Sequence, residues 1–249
     1  MGINIKKMDN KTLSILETLN VNKTTIEFFK EKEIPKNNLY WNIGDYYIGK
    51  NTKFIIIPLF YELFQRVSKI DNLHLFEDIE VLEELLHNTE SEEMKIISYD
   101  ECVEKCKNIN RITKKAKDNP ICKSYIEKTV LEHPKQEALR RGNFMLYYFL
   151  LHYDDANLNE LKIITHLFLD FVSCGLIIDD FLDTESDIIE NEPNTINELG
   201  GGMEAMKKVE KIYKKASDNV MVFYPELKIY YDNLYSKSVS YFLSNLKLW

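Results

Sequence analysis

Asp179-Asp180-Phe181-Leu182-Asp183, with Asp187 beyond it, places four carboxylates within about two turns of a segment whose apolar residues make it a helix. At roughly 3.6 residues per turn, Asp179, Asp183 and Asp187 are expected to project from one face, with Asp180 flanking them. Gathered carboxylates repel one another and lose hydration, so a fold that gathers them needs a reason, and a divalent cation is the usual one. Oxygen ligands of this kind suit Mg2+, which binds one or two carboxylates, keeps several waters and takes further oxygens from a phosphate. A second pair with chemistry, Arg140 and Arg141, precedes Gly142 at the start of the helix expected before the aspartates. Planar guanidinium groups suit bidentate contact with phosphate oxygens; a solvated basic helix end is the equal alternative.

The element that must position the aspartates is predicted from Asn159 to Asp187. Its apolar residues, Leu161, Ile164, Leu167, Phe168, Phe171, Val172, Leu176 and Ile178, cover much of a helix circumference, as in the centre of a bundle. Gly175, one turn before Asp179, suggests a close helix contact or a ligand approaching the backbone. Gln136 to Tyr153 is predicted as the preceding helix, with Phe144, Tyr147 and Leu150 among its apolar residues. Pro193 stops helical propagation, Gly200-Gly201-Gly202 is expected to be a flexible joint, and a basic helix with Lys207, Lys208 and Lys211 follows. A last pair of aromatic-rich helices is expected from Pro225 to Trp249.

Upstream, Thr12 to Leu19 and Thr24 to Lys32 read as short helices, and Tyr46 to Ser68 as a buried helix with Pro58 at a kink or near its start, a strand being the competing reading of Phe54 to Phe60. Glu77 to Glu93 is amphipathic, with Ile79, Leu82, Leu85 and Leu86 facing inward and its acidic residues expected on a solvated face. Gly and Pro are scarce, at 8 and 6 residues, and apolar spacing is helical throughout, which makes the fold class all-α.

The run from Phe168 to Asp187, together with the Pro193 turn, resembles the second aspartate-rich helix of the trans-isoprenyl diphosphate synthase (polyprenyl synthetase) family. Arg140-Arg141-Gly142 stands roughly where that family carries a Lys-Thr element, and Gly202 to Lys208 resembles its following helix. The resemblance covers the chain from about Arg140 to its end. It implies a single helical bundle of the isoprenoid synthase type over residues 1–249, divergent in 1–135 and family-like in 136–249. It further implies Mg2+-dependent chemistry on an allylic prenyl diphosphate, either prenyl transfer or terpene-synthase-like ionisation. Asp179, Asp180 and Asp183 would then be catalytic through Mg2+, with Asp187 a further metal ligand. Arg140 and Arg141 would grip the diphosphate, while Phe144, Tyr147, Tyr148 and Phe171 would line the chain pocket. A homodimer, or a heterodimer with another synthase, is the implied partnership. The family's first Asp-Asp-x-x-Asp has no clear counterpart before Arg140; Glu77, Asp78 and Glu80 are the nearest acidic group. That departure motivates the alternative of a non-catalytic homologue serving as a regulatory or accessory subunit.

Composition bounds the rest. The 249 residues, 45% hydrophobic, are enough to bury a sizeable core in one domain. A net charge of -8 argues against a general nucleic-acid binder, because backbone phosphate affinity rests on clustered Lys and Arg. No signal-peptide pattern or membrane-length apolar run is expected, which makes the expected location cytoplasmic. Cys102, Cys106, Cys122 and Cys174 lack paired spacing and are expected to be reduced thiols.

Overall fold

The computed structural model describes residues 8, 10–33, 35, 37–43, 46–47, 56–67, 75–109, 119–132, 137–140, 143–144 and 158–246. The fold is all-α, and among the described residues a two-rung antiparallel pairing of β1 (Asn42–Ile43) with β2 (Tyr46–Tyr47) is the only strand structure. The chain divides into two compact units, Met1–Asp118 and Asn119–Trp249. The sequence reading places its internal division later, at residue 135, inside one domain.

In the first unit, α1 (Asn10–Thr18) ends at Asn20, whose left-handed φ of 55° lets the Val21 N–H donate back to the Leu16 carbonyl at 3.1 Å. Asn22 caps α2 (Lys23–Glu31), its side-chain oxygen accepting from the Thr24 N–H at 2.9 Å. Glu62 of α3 (Ile56–Val67) holds this turn, accepting from the Asn22 N–H at 2.7 Å and from Arg66 Nε at 2.8 Å. Pro58 lies in the first turn of α3, where a missing N–H breaks no helical bond, so the described part of this apolar run is helix rather than strand.

In α4 (Leu75–Glu93), Ile79, Leu82, Leu85 and Leu86 are buried, as its periodicity predicts. The acidic side is not a simple solvated face. Glu77 and Glu80 are exposed, but Asp78, Glu83 and Glu90 are buried. The reason for Glu83 is a set of partners from a distant stretch of chain. Trp41 Nε1 donates to Glu83 Oε1 at 2.7 Å, Lys32 Nζ pairs with Oε2 at 3.1 Å, and Asn38 Nδ2 donates to the Glu83 carbonyl at 2.7 Å. One turn on, His87 Nδ1 accepts from the Leu39 N–H at 3.0 Å. The segment around Asn38 to Trp41 thus docks on α4 through polar contacts, while the apolar stripe of α4 supplies core. Residues Tyr99–Lys107 form α5, opened by a capping box in which Ser98 and Glu101 each bond the other's backbone N–H.

The second unit is organised by one long helix. After α6 (Pro120–Glu132) and a 3-10 turn (Ala138–Arg140), α7 (Leu158–Glu190) runs for 33 residues. Its end is set by Asn191, with φ 56°, whose conformation lets the Glu192 N–H donate to the Asp187 carbonyl at 2.8 Å; helix termination therefore precedes Pro193. A one-turn helix, α8 (Thr195–Glu198), leads through Gly200, Gly201 and Gly202, all at positive φ, into α9 (Gly202–Phe223). The glycine joint is thus a defined turn, and glycine supplies it because a left-handed backbone is costly for other residues. Beyond it, Pro225 to Trp249 holds a single described helix, α10 (Leu227–Asn245), rather than a pair.

Both long C-terminal helices lie along α7. Asn219 of α9 donates to Asp170 at 2.8 Å, while α10 sets Tyr231 edge-on to Phe171 and both Tyr235 and Phe242 edge-on to Phe181. Between α9 and α10, Tyr213 and Tyr235 stack with ring centroids 3.9 Å apart. By length and composition α7 could cross a membrane, and 67% of its most apolar 18-residue window is buried inside the protein. That apolarity exceeds the sequence expectation for any run, and packing of α9 and α10 against it is what the apolar surface serves.

Candidate functional site

The four aspartates of α7 fall into two pairs. Asp179 and Asp183 are exposed, whereas Asp180 (0% exposed) and Asp187 (6%) are buried. Helical geometry accounts for part of the grouping. Asp187 is seven residues from Asp180, a net offset of only about 20°, but about 80° from Asp179. Asp183 lies about 40° from both Asp179 and Asp187, so its exposure is decided by what covers the helix and not by its angle alone.

Asn194 covers the face of Asp180 and Asp187. Its Nδ2 donates to the Asp180 carbonyl and to Asp187 Oδ2, both at 2.8 Å, and its Oδ1 accepts from the backbone N–H of Ile196 at 2.9 Å and of Asn197 at 3.4 Å. The Asp180 carboxylate accepts from the Thr195 N–H at 2.9 Å. One side chain thus caps α8 and clamps it to the buried aspartates. Glu198, at the other end of α8, accepts from the N–H groups of Glu137 at 2.9 Å and Ala138 at 2.8 Å, fixing the turn that carries Arg140. Sequence reasoning gave Asn194, Thr195 and Glu198 no part in holding the aspartates. The available signal was Asn-Thr directly after Pro193, a helix-opening pattern.

These contacts limit what the aspartates can hold. Among the described residues no group of three or more His, Cys, Asp and Glu side chains is placed to bind a metal. The Asp180 and Asp187 oxygens already accept hydrogen bonds inside the unit, so a cage built from all four carboxylates does not fit. Asp179 and Asp183, exposed and one turn apart, do fit an ion such as Mg2+ that needs only one or two carboxylates and fills its remaining positions with water and phosphate. Phe168, Val172 and Leu176, spaced four residues apart, precede Asp179 on the same helix face, but Phe168 and Val172 are buried in the core and only Leu176 is partly exposed.

The expected diphosphate and chain-binding residues are distributed unevenly. Arg140 is half-buried in its turn, Phe144 is buried, and Phe171 is buried against Tyr231. Phe171 is therefore a core residue between α7 and α10. Arg141, Tyr147 and Tyr148 lie outside the described residues. A groove of about 180 Å3 does open beside α7, floored by Phe181 and Phe242 and flanked by Leu182, Ile188 and Tyr241. It lies on the other side of the helix from the exposed carboxylates: Asp179 and Asp183 are each about 200° around the axis from Phe181. A diphosphate held at Asp179 and Asp183 could not place its chain there.

Comparisons with protein-family models, with curated proteins and with solved structures find no match to this chain.

Proposed function

We propose that this protein is a divergent isoprenoid synthase that acts on an allylic prenyl diphosphate, with Asp179 and Asp183 as its Mg2+ ligands. The observation that carries the reading is the exposed pair Asp179 and Asp183, one turn apart on α7, a helix whose residues resemble the aspartate-rich helix of the isoprenoid synthases. Asp179 and Asp183 would hold Mg2+, which would supply charge neutralisation for a departing diphosphate. Arg140 supports the reading through its place on a turn fixed to α8, the element clamped to the neighbouring aspartates. In this proposal Asp180 and Asp187 position the helix end and are not metal ligands.

A second reading, an accessory homologue that pairs with an active synthase, is favoured by the Asn194 clamp itself. Asp180 and Asp187 have a folding role that preserves half the motif without any catalysis. Incubation with Mg2+ and allylic diphosphates of several lengths, with and without isopentenyl diphosphate, separates the two. The enzyme reading expects pyrophosphate release that falls by at least about 100-fold in Asp179→Ala/Asp183→Ala, the scale of losing electrostatic stabilisation of a leaving group. No release with any substrate, accompanied by tight association with a synthase, would establish the accessory reading instead.

A further inference from the structure

We infer that the groove beside the C-terminal half of α7 is a binding site for a small organic amine carrying an apolar arm. This site is separate from the carboxylate pair of the proposed function and does not depend on it. Its floor is apolar and aromatic: Phe181 and Phe242 are almost fully buried, while Leu182, Ile188 and Tyr241 are partly exposed along its sides. Such a wall gains from taking an apolar group out of water, in proportion to the area covered. The groove holds about 180 Å3, room for a short alkyl or single-ring arm rather than a long lipid chain.

Charge selects the head group. Glu185 lines the groove and is exposed, and among the described lining residues it is the only charged one. Thr184, Asn197 and Asn245 add hydrogen-bonding groups around the same opening. Tyr241, half exposed among the lining residues, brings an aromatic ring, a group that attracts ammonium ions through its π face. A carboxylate and an aromatic face above an apolar floor complement an ammonium with a hydrocarbon arm and repel the matching carboxylate. The turn Gly200 to Gly202 borders the groove, and a Cβ added at any of the three meets nothing within 4 Å. Glycine is therefore present there for its positive φ and not to clear room for the ligand.

Calorimetric titration of the full chain with hexylamine, hexanol and hexanoate tests the assignment. Hexylamine is expected to bind more tightly than hexanol, and hexanoate not at all. Glu185→Gln should weaken hexylamine about tenfold, the scale of one hydrogen bond to a charged group, while leaving hexanol unchanged. Ile188→Ser, at a partly exposed wall position, should weaken the amine and the alcohol alike. Equal binding of hexanoate, equal hexylamine affinity in Glu185→Gln, or no binding of any of the three would each overturn the inference.

Discussion

Replacing Asn194 with alanine is expected to remove about 3 kcal/mol of stability, measured by urea unfolding with CD detection. The size follows from what one side chain satisfies. Its amide nitrogen bonds Asp187 and the Asp180 carbonyl, and its oxygen caps two N–H groups of α8. Loss of a helix cap costs about 1 kcal/mol, and stranding a buried polar partner adds about 1–3 kcal/mol. Asp187 is the partner at risk, because it is buried and cannot simply turn to water. Asn194→Asp should also destabilise, since it keeps the cap oxygen but faces Asp187 with a like charge. Asp179→Asn should leave stability within about 0.5 kcal/mol, as expected for an exposed position. Equal losses in Asn194→Ala and Asp179→Asn would mean that the two aspartate pairs are not distinct.

The corresponding expectation for the first unit is that Glu83→Ala destabilises by about 3 kcal/mol, because breaking a buried ion pair leaves its other member uncompensated. Trp41 Nε1 would lose its acceptor, and Lys32, only 12% exposed in its side chain, would lose its counter-charge. Differential scanning calorimetry of the variant beside the wild type checks this. The pH dependence separates charge from packing. Burial pushes the Glu83 carboxyl above the usual glutamate range, outweighing the downward pull of Lys32 and Trp41. A carboxyl whose value is raised on folding favours the folded state most when protonated. Its contribution is therefore full below the unfolded value and declines as pH rises through the folded one. Wild-type stability relative to Glu83→Gln should accordingly fall as pH is raised from the ordinary glutamate range upward. A rise over that interval would reverse the assignment of burial as the dominant cause.

Periodicity made the helices legible. The spacing of Leu161, Ile164, Phe168 and Phe171 is enough to place α7 at the centre of its unit, and Ile79, Leu82, Leu85 and Leu86 face inward as their spacing requires. Helix ends were less legible: Pro193 marks the stop of α7 only approximately, and the turn itself is made by Asn191, a residue type that tolerates the left-handed backbone there. Burial of charge was the least legible. Asp179 and Asp180 are adjacent and chemically identical, and Asn194 and Thr195, reached after a turn, meet the carbonyl and the carboxylate of Asp180 and enclose it. Glu83 differs from Glu80 for a similar reason: Lys32 and Trp41 come from more than forty residues away to meet one and not the other. A helical wheel orders residues around an axis, but the partner that covers each sector comes from elsewhere in the chain.

The central claim is that Asp179 and Asp183 bind a divalent cation with a diphosphate, while Asp180 and Asp187 hold the fold. Calorimetric titration of Mg2+ into the protein with pyrophosphate present, for the wild type and for Asp179→Asn/Asp183→Asn, tests it most directly. Mg2+-dependent binding is expected in the wild type and its loss in the double variant, with the unfolding midpoint of the variant unchanged. Wild-type behaviour in the double variant, or no Mg2+-dependent binding in the wild type itself, would contradict it.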